Sequence, residues 1–253
     1  MSDKTQICLF TAQSPNGHKV SITLEELGIA YDVRHVSLPK IENKEPWFLE
    51  INPNGRIPAL TDILPDGTPI NLFESGCIMQ YLVDRYDVDN KMSYPRGTKE
   101  HWQTNSWLFF QMAGIGPMQG QANHFVRYSL SELPEKYSTD RYVNEARRLY
   151  RVVDKHLRHS KTEFLVGGKL TIADIAISSW ANLLVFSGLD PDEFPNVQAW
   201  QSRLAQRPTF RKGFDVPVKT DVEEIMSAPE SFKAYLKKNL EWTRTGMEED
   251  AKR

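Results

Sequence analysis

Short apolar runs with one helical pattern between them occupy the start of the chain. Residues 6–11 (Gln-Ile-Cys-Leu-Phe-Thr) predict a buried strand, and the spacing over 17–27 predicts a helix that ends at Gly28. Residues 31–36 alternate between polar and apolar positions, which is typical of a second strand. The opening of the chain is therefore expected to fold as strand, helix, strand.

Two further strands and a helix follow. Residues 57–60 and 69–72 are expected to pair through a turn at 65–67, where Pro-Asp-Gly suits a tight reversal. The pattern over 75–86 then predicts a helix. With an irregular or short-helical segment in the middle, this order is typical of a small mixed sheet with helices packed on it.

Beyond a polar stretch the strand patterns disappear. An aromatic-rich helix is predicted over 102–112, with a kink near 116–117. Apolar residues recur at helical spacing over 139–158. Thr171-Ile172-Ala173-Asp174 before an apolar run is a capping box, flanked by Leu170 and Ile175 as a hydrophobic staple. This half of the chain is expected to be all-helical.

Four parts follow from these patterns. We expect an α/β domain over 1–87, a linker over 88–97, an all-α C-terminal domain over 98–225 and a charged C-terminal tail over 226–253. The tail is poor in regularly spaced apolar residues, so it is expected to be mobile or to form a helix of marginal stability.

Composition narrows the classes of function. The chain has 253 residues, of which 40% are hydrophobic and 25% charged, as in an ordinary soluble globular protein. Its 31 basic and 33 acidic residues give a net charge of −2, which argues against a nucleic acid partner. No run is long and apolar enough for a membrane span, and no signal-peptide pattern opens the chain, so we expect a cytoplasmic protein without a membrane partner.

Cysteine and histidine usage adds two expectations. Cys8 in its predicted strand and Cys77 in its predicted helix are expected to be buried, inert apolar fillers and not a disulfide framework. The six histidines form no cluster at zinc-ligand spacing, so no metal is expected.

The segment around Ile57-Pro58 is the strongest indication of a binding site. A proline between apolar residues at a strand start suggests a cis bond, a geometry that can leave the backbone N–H and C=O of Ile57 facing a groove. An extended peptide can pair with such an edge. Ser75 opens the predicted helix 75–86, whose N-terminus attracts a carboxylate. Together these features predict a site for a small, acidic, extended peptide.

Five segments share their residues with a known family: 14–20 (Ser-Pro-Asn-Gly-His-Lys-Val), 54–60 (Asn-Gly-Arg-Ile-Pro-Ala-Leu), 73–76 (Phe-Glu-Ser-Gly), 108–111 (Leu-Phe-Phe-Gln) and 116–121 (Gly-Pro-Met-Gln-Gly-Gln). Together they resemble the glutathione transferase family. Within that family they are most similar to the Nu class and to the fungal nitrogen-regulator-like (Ure-type) relatives. The resemblance covers roughly 5–210. It implies a thioredoxin-like, glutathione-binding N-terminal domain followed by the all-α domain.

The resemblance implies roles for the first loop. It places Asn16 at the sulfur of bound glutathione, with Ser14 nearby, as the two catalytic candidates. Neither needs to act as a base, because an amide N–H or a hydroxyl can stabilise a thiolate by donating to it. The alternative for Asn16 is a turn residue or a helix N-cap. No tyrosine stands in the loop, and Ser14 replaces the cysteine of omega-like enzymes.

The remaining glutathione contacts come from the same resemblance. Glu74 would meet the ammonium and Ser75 the α-carboxylate of the γ-glutamyl end, or both would simply form a helix N-cap region. Ile57 would bind through its backbone. Asn43 and Lys44 would reach the glycyl carboxylate, and the alternative for Lys44 is a solvated surface lysine.

Three more residues have weaker support. Arg141 matches an arginine that in Nu-class relatives reaches glutathione from the neighbouring subunit, which would make the active unit a homodimer; the alternative is a salt bridge on a helix surface. His124 and Phe110 are candidates for an acceptor pocket, although each could equally be a packed core residue.

The expected function is that of a glutathione-dependent enzyme with glutathione as cosubstrate. It would act as a glutathione transferase or as a disulfide-bond reductase, and peroxidase activity stays open because all three need the same thiolate. The small second substrate would be an electrophile or a disulfide. The alternative is a regulatory or scaffold protein that keeps the fold without turnover.

Overall fold

The computed structural model describes residues 6–128, 136–219 and 229–251. A four-stranded sheet with its helices forms the N-terminal domain, and the rest of the described chain is helical. This confirms the predicted order of an α/β, thioredoxin-like domain followed by an all-α domain. Among the described residues, no helix is long and apolar enough to cross a bilayer.

The sheet has the strand order β2-β1-β3-β4. The strands are β1 (Cys8–Thr11), β2 (Asp32–His35), β3 (Ala59–Ile63) and β4 (Pro69–Phe73). β1 pairs with β2 in parallel and with β3 antiparallel, and β3 and β4 form the predicted hairpin. All four residues of the edge strand β2 are exposed, so the alternation seen in the sequence does not bury one of its faces.

Three helices belong to this domain: α1 (Pro15–Leu27), α2 (Pro46–Leu49) and α3 (Ser75–Tyr86). α1 ends in a left-handed Gly28, as its sequence predicts. α1 and α3 pack on each other and on the sheet through a buried apolar cluster: Ile7, Leu9, Val20, Leu24, Leu60, Ile78 and Leu82. This packing brings the N-termini of α1 and α3 to the same cavity.

The expectation for Cys77 is wrong. α3 buries Ser75, Gly76, Ile78, Met79, Leu82 and Val83, whereas Cys77 is exposed. Successive residues of a helix differ in direction by about 100°, so Cys77 leaves the face that Ile78 and Met79 share. Cys8 is half-buried in β1, and its burial raises the pKa of the thiol.

The helical domain consists of α4 (Lys99–Phe110), α5 (Gly116–Asn123), α6 (Lys136–His159), α7 (Ile172–Ala181), α8 (Pro195–Ala205), α9 (Pro208–Phe214) and α10 (Pro229–Asp250). Its buried cluster also takes in Ile22, Met79 and Val83 of the first domain. α1 packs against both α7 and α9, so the two domains share a continuous apolar interface.

The helical conformation continues through Gly116-Pro117, where the sequence predicts a kink. Residues Gln111–Ile115 form a π-helical segment between α4 and α5, and His124–Tyr128 form a second one after α5. Pro117 has no N–H to donate to the preceding turn, and the wider turn just before it accommodates this loss. The segment at Gln111–Ile115 directs Gln111 and Met112 towards the first domain.

The predicted capping box is present at α7. The Asp174 carboxylate accepts from the backbone N–H and from the hydroxyl of Thr171, both at 3.0 Å. It also accepts from Leu165 N–H at 2.9 Å and from Trp200 Nε1 at 3.2 Å. Burial nevertheless raises the pKa of Asp174 to about 6. Every residue of α7 is buried, so this helix is the centre of the second domain.

Candidate functional site

A cavity of about 310 Å³ lies where the two domains meet. One side, here called the helix wall, comes from the starts of α1 and α3 and from the first π-helical segment: Ser14, Asn16, Glu74, Ser75 and Met112. The other side, the loop wall, comes from the segment between β2 and β3: Leu38, Asn43, Asn52, Asn54, Arg56, Ile57 and Pro58. Trp242 of α10 completes the lining.

The start of α1 supplies two polar groups to the helix wall. Ser14 is the N-cap: its Oγ accepts from Gly17 N–H at 3.0 Å. The cap is thus Ser14, and Asn16 is the second helical residue. Because the Ser14 oxygen is the acceptor in that bond, its hydroxyl hydrogen is free to donate, next to a helix N-terminus that favours negative charge.

A residue from the other domain orients Asn16. Trp180, on α7, donates from Nε1 to Asn16 Oδ1 at 3.0 Å. An indole nitrogen can only donate, so the atom that it meets must be the amide oxygen. The Asn16 NH₂ group therefore points away from Trp180, and Asn16 lines the cavity. This contact joins residues 164 positions apart.

The start of α3 has an unusual backbone. Glu74 precedes the helix with φ at +67°, the left-handed region that non-glycine residues rarely adopt. Its side chain forms no cap hydrogen bond to the helix. Ser75, the first helical residue, is buried beside it, and both line the cavity. Such local strain is commonly stored at functional sites.

A lysine lies buried behind Ser75. Lys19, on α1, is only 1% exposed, and its Nζ donates to Ser75 Oγ at 3.3 Å and to Gln111 Oε1 at 2.5 Å. Met112 Sδ is 3.3 Å away. Burial lowers the pKa of Lys19 to about 7, and the nearby Glu74 opposes this effect.

Asparagines shape the loop wall. Asn43 donates to the carbonyl of Gly55 at 2.8 Å, and the buried Asn52 donates to the carbonyl of Arg56 at 2.5 Å. The Ile57-Pro58 bond is cis, as predicted. Strand pairing of β3 begins at Ala59, which leaves the backbone of Ile57 outside the sheet and beside the cavity.

Lys44 does not line the cavity. Its Nζ pairs with Asp250 Oδ1 at 2.7 Å, and the two side chains are 12% and 39% exposed. Asp250 is the last residue of α10, where the helix dipole favours a nearby cation. The exposed Arg56 is the cationic side chain of the loop wall.

Helix α10 covers the opening between the domains. It packs on the turn Leu38–Lys40 of the first domain and on His124–Tyr128 of the second. Trp242, half-buried on this helix, donates from its indole to Asn239 Oδ1 at 2.8 Å and lines the cavity. The sequence pattern of the tail gave no indication of this position.

The other predicted residues lie away from the lining. Arg141 is exposed on α6. His124 packs edge-to-face on Phe125, with 5.3 Å between the ring centroids, in the segment that contacts α10. Phe110 packs on Trp107 at 5.4 Å. None of the three is among the residues that line the cavity. In the described parts of the chain, no group of three metal-ligating side chains comes together.

Comparison with known proteins settles the family. Residues 13–85 match the N-terminal domain of glutathione S-transferases, and residues 121–208 match the C-terminal domain. The chain belongs to the glutathione S-transferase family. It is 39% identical over 204 residues to the disulfide-bond oxidoreductase YfcG of Escherichia coli, a match that covers 80% of this chain and 91% of YfcG.

Fungal proteins are also similar to this chain. The glutathione S-transferase-like protein gedE of Aspergillus terreus is 37% identical, over 84% of this chain and 96% of gedE. The transcriptional regulator URE2 of Saccharomyces cerevisiae is 34% identical, over 81% of this chain and 66% of URE2. A solved structure is also similar: a glutathione transferase homolog from Lodderomyces elongisporus, with two GSH per subunit. It superimposes on this chain with a TM-score of 0.78 and is 41% identical in sequence. The match covers 85% of this chain and 100% of that one.

Several residues at the site were not predicted from the sequence: Lys19, Trp180 and Trp242, and the lining residues Leu38, Asn52, Asn54 and Met112. Lys19 stands within the segment 14–20 that carries the family resemblance, and a lysine one turn into a predicted buried helix is a signal that could have been noticed. Trp180 follows the capping box, but nothing local connects it with Asn16.

Proposed function

We propose that this transferase binds glutathione in the described cavity and stabilises its thiolate with neutral donors, Asn16 first and Ser14 second. The observation that supports this most is the bond from Trp180 Nε1 to Asn16 Oδ1, since it commits the amide NH₂ to the cavity side. The N-terminus of α1 adds partial positive charge at the same place.

The energetics of the thiol make such donors sufficient. A free cysteine thiol has a pKa of about 8.5, and each unit by which the pKa falls corresponds to about 1.4 kcal/mol of preference for the thiolate. A hydrogen bond to a charged group contributes about 1.5–3 kcal/mol. One or two donors thus hold much of the thiol ionised at neutral pH without a general base.

The rest of glutathione is proposed to extend across both walls. The γ-glutamyl ammonium would meet Glu74 and its α-carboxylate Ser75, while the backbone of Ile57 would pair with the cysteinyl residue. Asn43 and the cations Arg56 and Lys44 would serve the glycyl carboxylate. Arg141 would contribute from a second copy of the chain, and His124 and Phe110 would belong to the acceptor side. We place the protein in the cytoplasm as a homodimer.

Reduction of a disulfide is the preferred reaction. One glutathione thiolate attacks a sulfur of the substrate, forms a mixed disulfide and expels the other sulfur as a thiolate, which takes a proton to become a thiol. A second glutathione thiolate then attacks the mixed disulfide at the glutathione sulfur. Glutathione disulfide forms, the second substrate sulfur leaves as a thiol after protonation, and two electrons have passed to the substrate. Conjugation to an electrophile would use the first thiolate alone.

Paired substitutions at Asn16 test the mechanism. Asn16→Ala removes the donor, and Asn16→Asp keeps an oxygen for Trp180 while replacing the NH₂ group with negative charge. We expect the pKa of bound glutathione to rise by about one to two units in the first variant and further in the second. Ultraviolet absorbance of the thiolate gives this pKa, and turnover is measured with a model disulfide, an aryl halide and an organic hydroperoxide.

Two outcomes would contradict the proposal. One is wild-type protein that binds no glutathione. The other is an Asn16→Asp variant with an unaltered thiol pKa. Preferential binding of glutathione disulfide over glutathione would support the reductase among the three activities.

A non-catalytic regulatory role is the second candidate. The Lys44–Asp250 ion pair and the position of Trp242 favour it, because α10 then competes with part of the proposed ligand site. One relative is itself named a transcriptional regulator. Binding of glutathione without turnover of any of the three substrate types would favour this role.

A further inference from the structure

The buried Lys19 behind the helix wall has no role in the function proposed so far. Buried lysines are rare because removing an ammonium from water is costly, and they are normally paired with a carboxylate. Within the described part of the chain, no carboxylate oxygen lies within 4.0 Å of Lys19 Nζ. Its three partners, Ser75, Gln111 and Met112, are all neutral.

Among the described residues, the surroundings offer one anion, Glu74, but it makes no ion pair with Lys19. Lys19 lies on α1, and its partners come from two other elements that converge on it: the start of α3 and the π-helical segment Gln111–Ile115. Glu74 is the titratable group that acts on it electrostatically; the other side chains in contact do not titrate. The N-terminus of α3 carries positive partial charge, which repels an ammonium. An ammonium in this position therefore has no carboxylate of the described chain in direct contact, and the Glu74 carboxylate only partly offsets the cost of its burial.

The hydroxyl of Ser75 indicates where a further anion binds. Since Ser75 Oγ accepts from Lys19, its own hydrogen must point elsewhere. At present it meets only Met112 Sδ, 3.6 Å away, and a thioether is a weak acceptor. A carboxylate at the start of α3 would receive a far stronger bond from the same hydroxyl.

We propose that Lys19 is a positioning residue for the γ-glutamyl α-carboxylate of glutathione, orienting the hydroxyl of Ser75 and supplying positive charge from beneath it. This inference rests on the proposed function and deepens it. Lys19 does not line the cavity, so it acts through Ser75 and through its charge.

A proton should accompany the ligand. Without ligand, burial lowers the pKa of Lys19 to about 7, and a carboxylate anchored at Ser75 favours the charged ammonium and raises that pKa. Binding at about pH 8 then takes up a proton at Lys19. A lysine that only fastened α1 to Gln111 would give no proton uptake that depends on the ligand carboxylate.

The test compares two ligands by titration calorimetry. One is S-methylglutathione, which has no thiol to ionise; the other is the same molecule without the γ-glutamyl α-carboxylate, an S-methylated γ-aminobutyryl-cysteinyl-glycine. Buffers with different ionisation enthalpies reveal proton uptake. With wild-type protein at about pH 8, we expect uptake with the first ligand and almost none with the second. Equal uptake with both would overturn the inference, and this arm needs no variant.

Substitution provides the second arm. Wild-type protein should bind S-methylglutathione more tightly than the analogue without the α-carboxylate. In Lys19→Met the ratio of these two affinities should shrink about 10- to 100-fold, and the proton uptake on binding of S-methylglutathione should vanish. Lys99→Met makes the same chemical change at an exposed position at the start of α4 and should alter neither quantity. An unchanged ratio in Lys19→Met would overturn the inference and leave the proposed function intact. Wild-type protein that binds neither ligand would instead overturn the proposed function.

Discussion

The two walls of the cavity are built in different ways. The helix wall rests on buried contacts between domains: Trp180 holds Asn16, and Lys19 joins Ser75 to the first π-helical segment. The loop wall rests on asparagine side chains that bond to loop carbonyls, and α10 closes over it through the partly exposed pair Lys44–Asp250. We therefore expect the helix wall to be the more rigid of the two, and we propose that it carries the chemistry while the loop wall, which α10 covers, controls access of the ligand.

Two lysines sharpen this contrast. Lys19 has neutral partners and is almost fully buried, whereas Lys44 has a carboxylate partner and is partly exposed. Lys44 is bound to a carboxylate that is itself 39% exposed and can move into water, whereas Lys19 has, among the residues that the structure describes, no carboxylate partner to release. A ligand carboxylate can therefore displace Asp250 from Lys44, and it can only add to the surroundings of Lys19.

Substitution of one glycine near each wall should give the largest difference between the walls, measured as loss of unfolding free energy. A methyl group at Gly17 would lie 2.3 Å from Thr11 Oγ1 and 2.7 Å from the Ala12 carbonyl, so Gly17→Ala should lower the free energy of unfolding by about 2–3 kcal/mol. At Gly55, with φ at +60° and contacts of 3.0 Å or longer, the cost should be about 1–2 kcal/mol.

Chemical denaturation measures both changes, and Gly168→Ala, which meets no atom within 4 Å, is the control. If Gly55→Ala destabilised the protein more than Gly17→Ala, the assignment of rigidity to the helix wall would be wrong.

Removal of the Trp180 indole N–H tests the contact between the domains that orients Asn16, beside the proposed position of the glutathione sulfur. Trp180→Phe keeps the ring but no longer holds Asn16 Oδ1, so the amide can turn and donate less reliably. The pKa of bound glutathione should rise by about one unit, and kcat/KM at neutral pH should fall about tenfold. Thiolate absorbance and a pH–rate profile measure the two effects.

Trp102→Phe changes an exposed tryptophan in α4 and serves as the control. A Trp180→Phe variant with wild-type thiol pKa would show that Asn16 needs no support from α7.

The buried lysine also predicts a pH dependence of stability. Lys19 has a pKa of about 7 in the folded protein and its ordinary value of 10.5 in the unfolded chain. Between these values the unfolded chain binds more protons, so this group makes stability rise with pH, by at most about 1.4 kcal/mol per unit. Relative to Lys19→Met, wild-type protein should gain about 1 kcal/mol of unfolding free energy from about pH 7 to pH 8.

Denaturant titrations of both proteins at each pH give this difference. A difference that stays constant or falls with pH would mean that Lys19 keeps its proton in the folded state.

The smallest expected effect concerns the outer helix. Asp250→Asn weakens the hold of α10 on Lys44, so glutathione should bind about two- to fivefold more tightly, because the ligand no longer competes with the Asp250 carboxylate for this lysine. Glu248→Gln removes the same charge from an exposed pair with Arg244 on the same helix and should leave the affinity unchanged. If Asp250→Asn bound glutathione more weakly than wild-type protein, the contact of α10 with Lys44 would help to hold glutathione and would not compete with it for Lys44.

Local patterns predicted much of the fold. The hairpin β3–β4, the start and end of α3 and the capping box at Thr171–Asp174 depend on neighbours in the sequence, and the structure has all of them. The cis bond at Ile57-Pro58 is also present as predicted, although cis is the minority form of an X-Pro bond and the surrounding structure must hold it. The four strands were found, although their ends differ by up to three residues from the predicted ones.

Features that depend on distant packing were not predictable. The exposure of Cys77 follows from which face of α3 the second domain covers. The contact of Trp180 with Asn16 and the place of Trp242 depend on how the domains and α10 come together, and no local pattern encodes this. The predicted roles of Asn43, Lys44 and Arg141 stay predictions until ligand binding is measured.

The bond between Trp180 and Asn16 has a consequence for the engineering of such proteins. Exchange of whole halves between two family members would separate an amide from the indole that aims it, even if each half kept its own shape. A chimaera that carries both residues from one parent should retain a reactive sulfur, and one whose second half has no tryptophan at this place should be impaired to the same degree as Trp180→Phe.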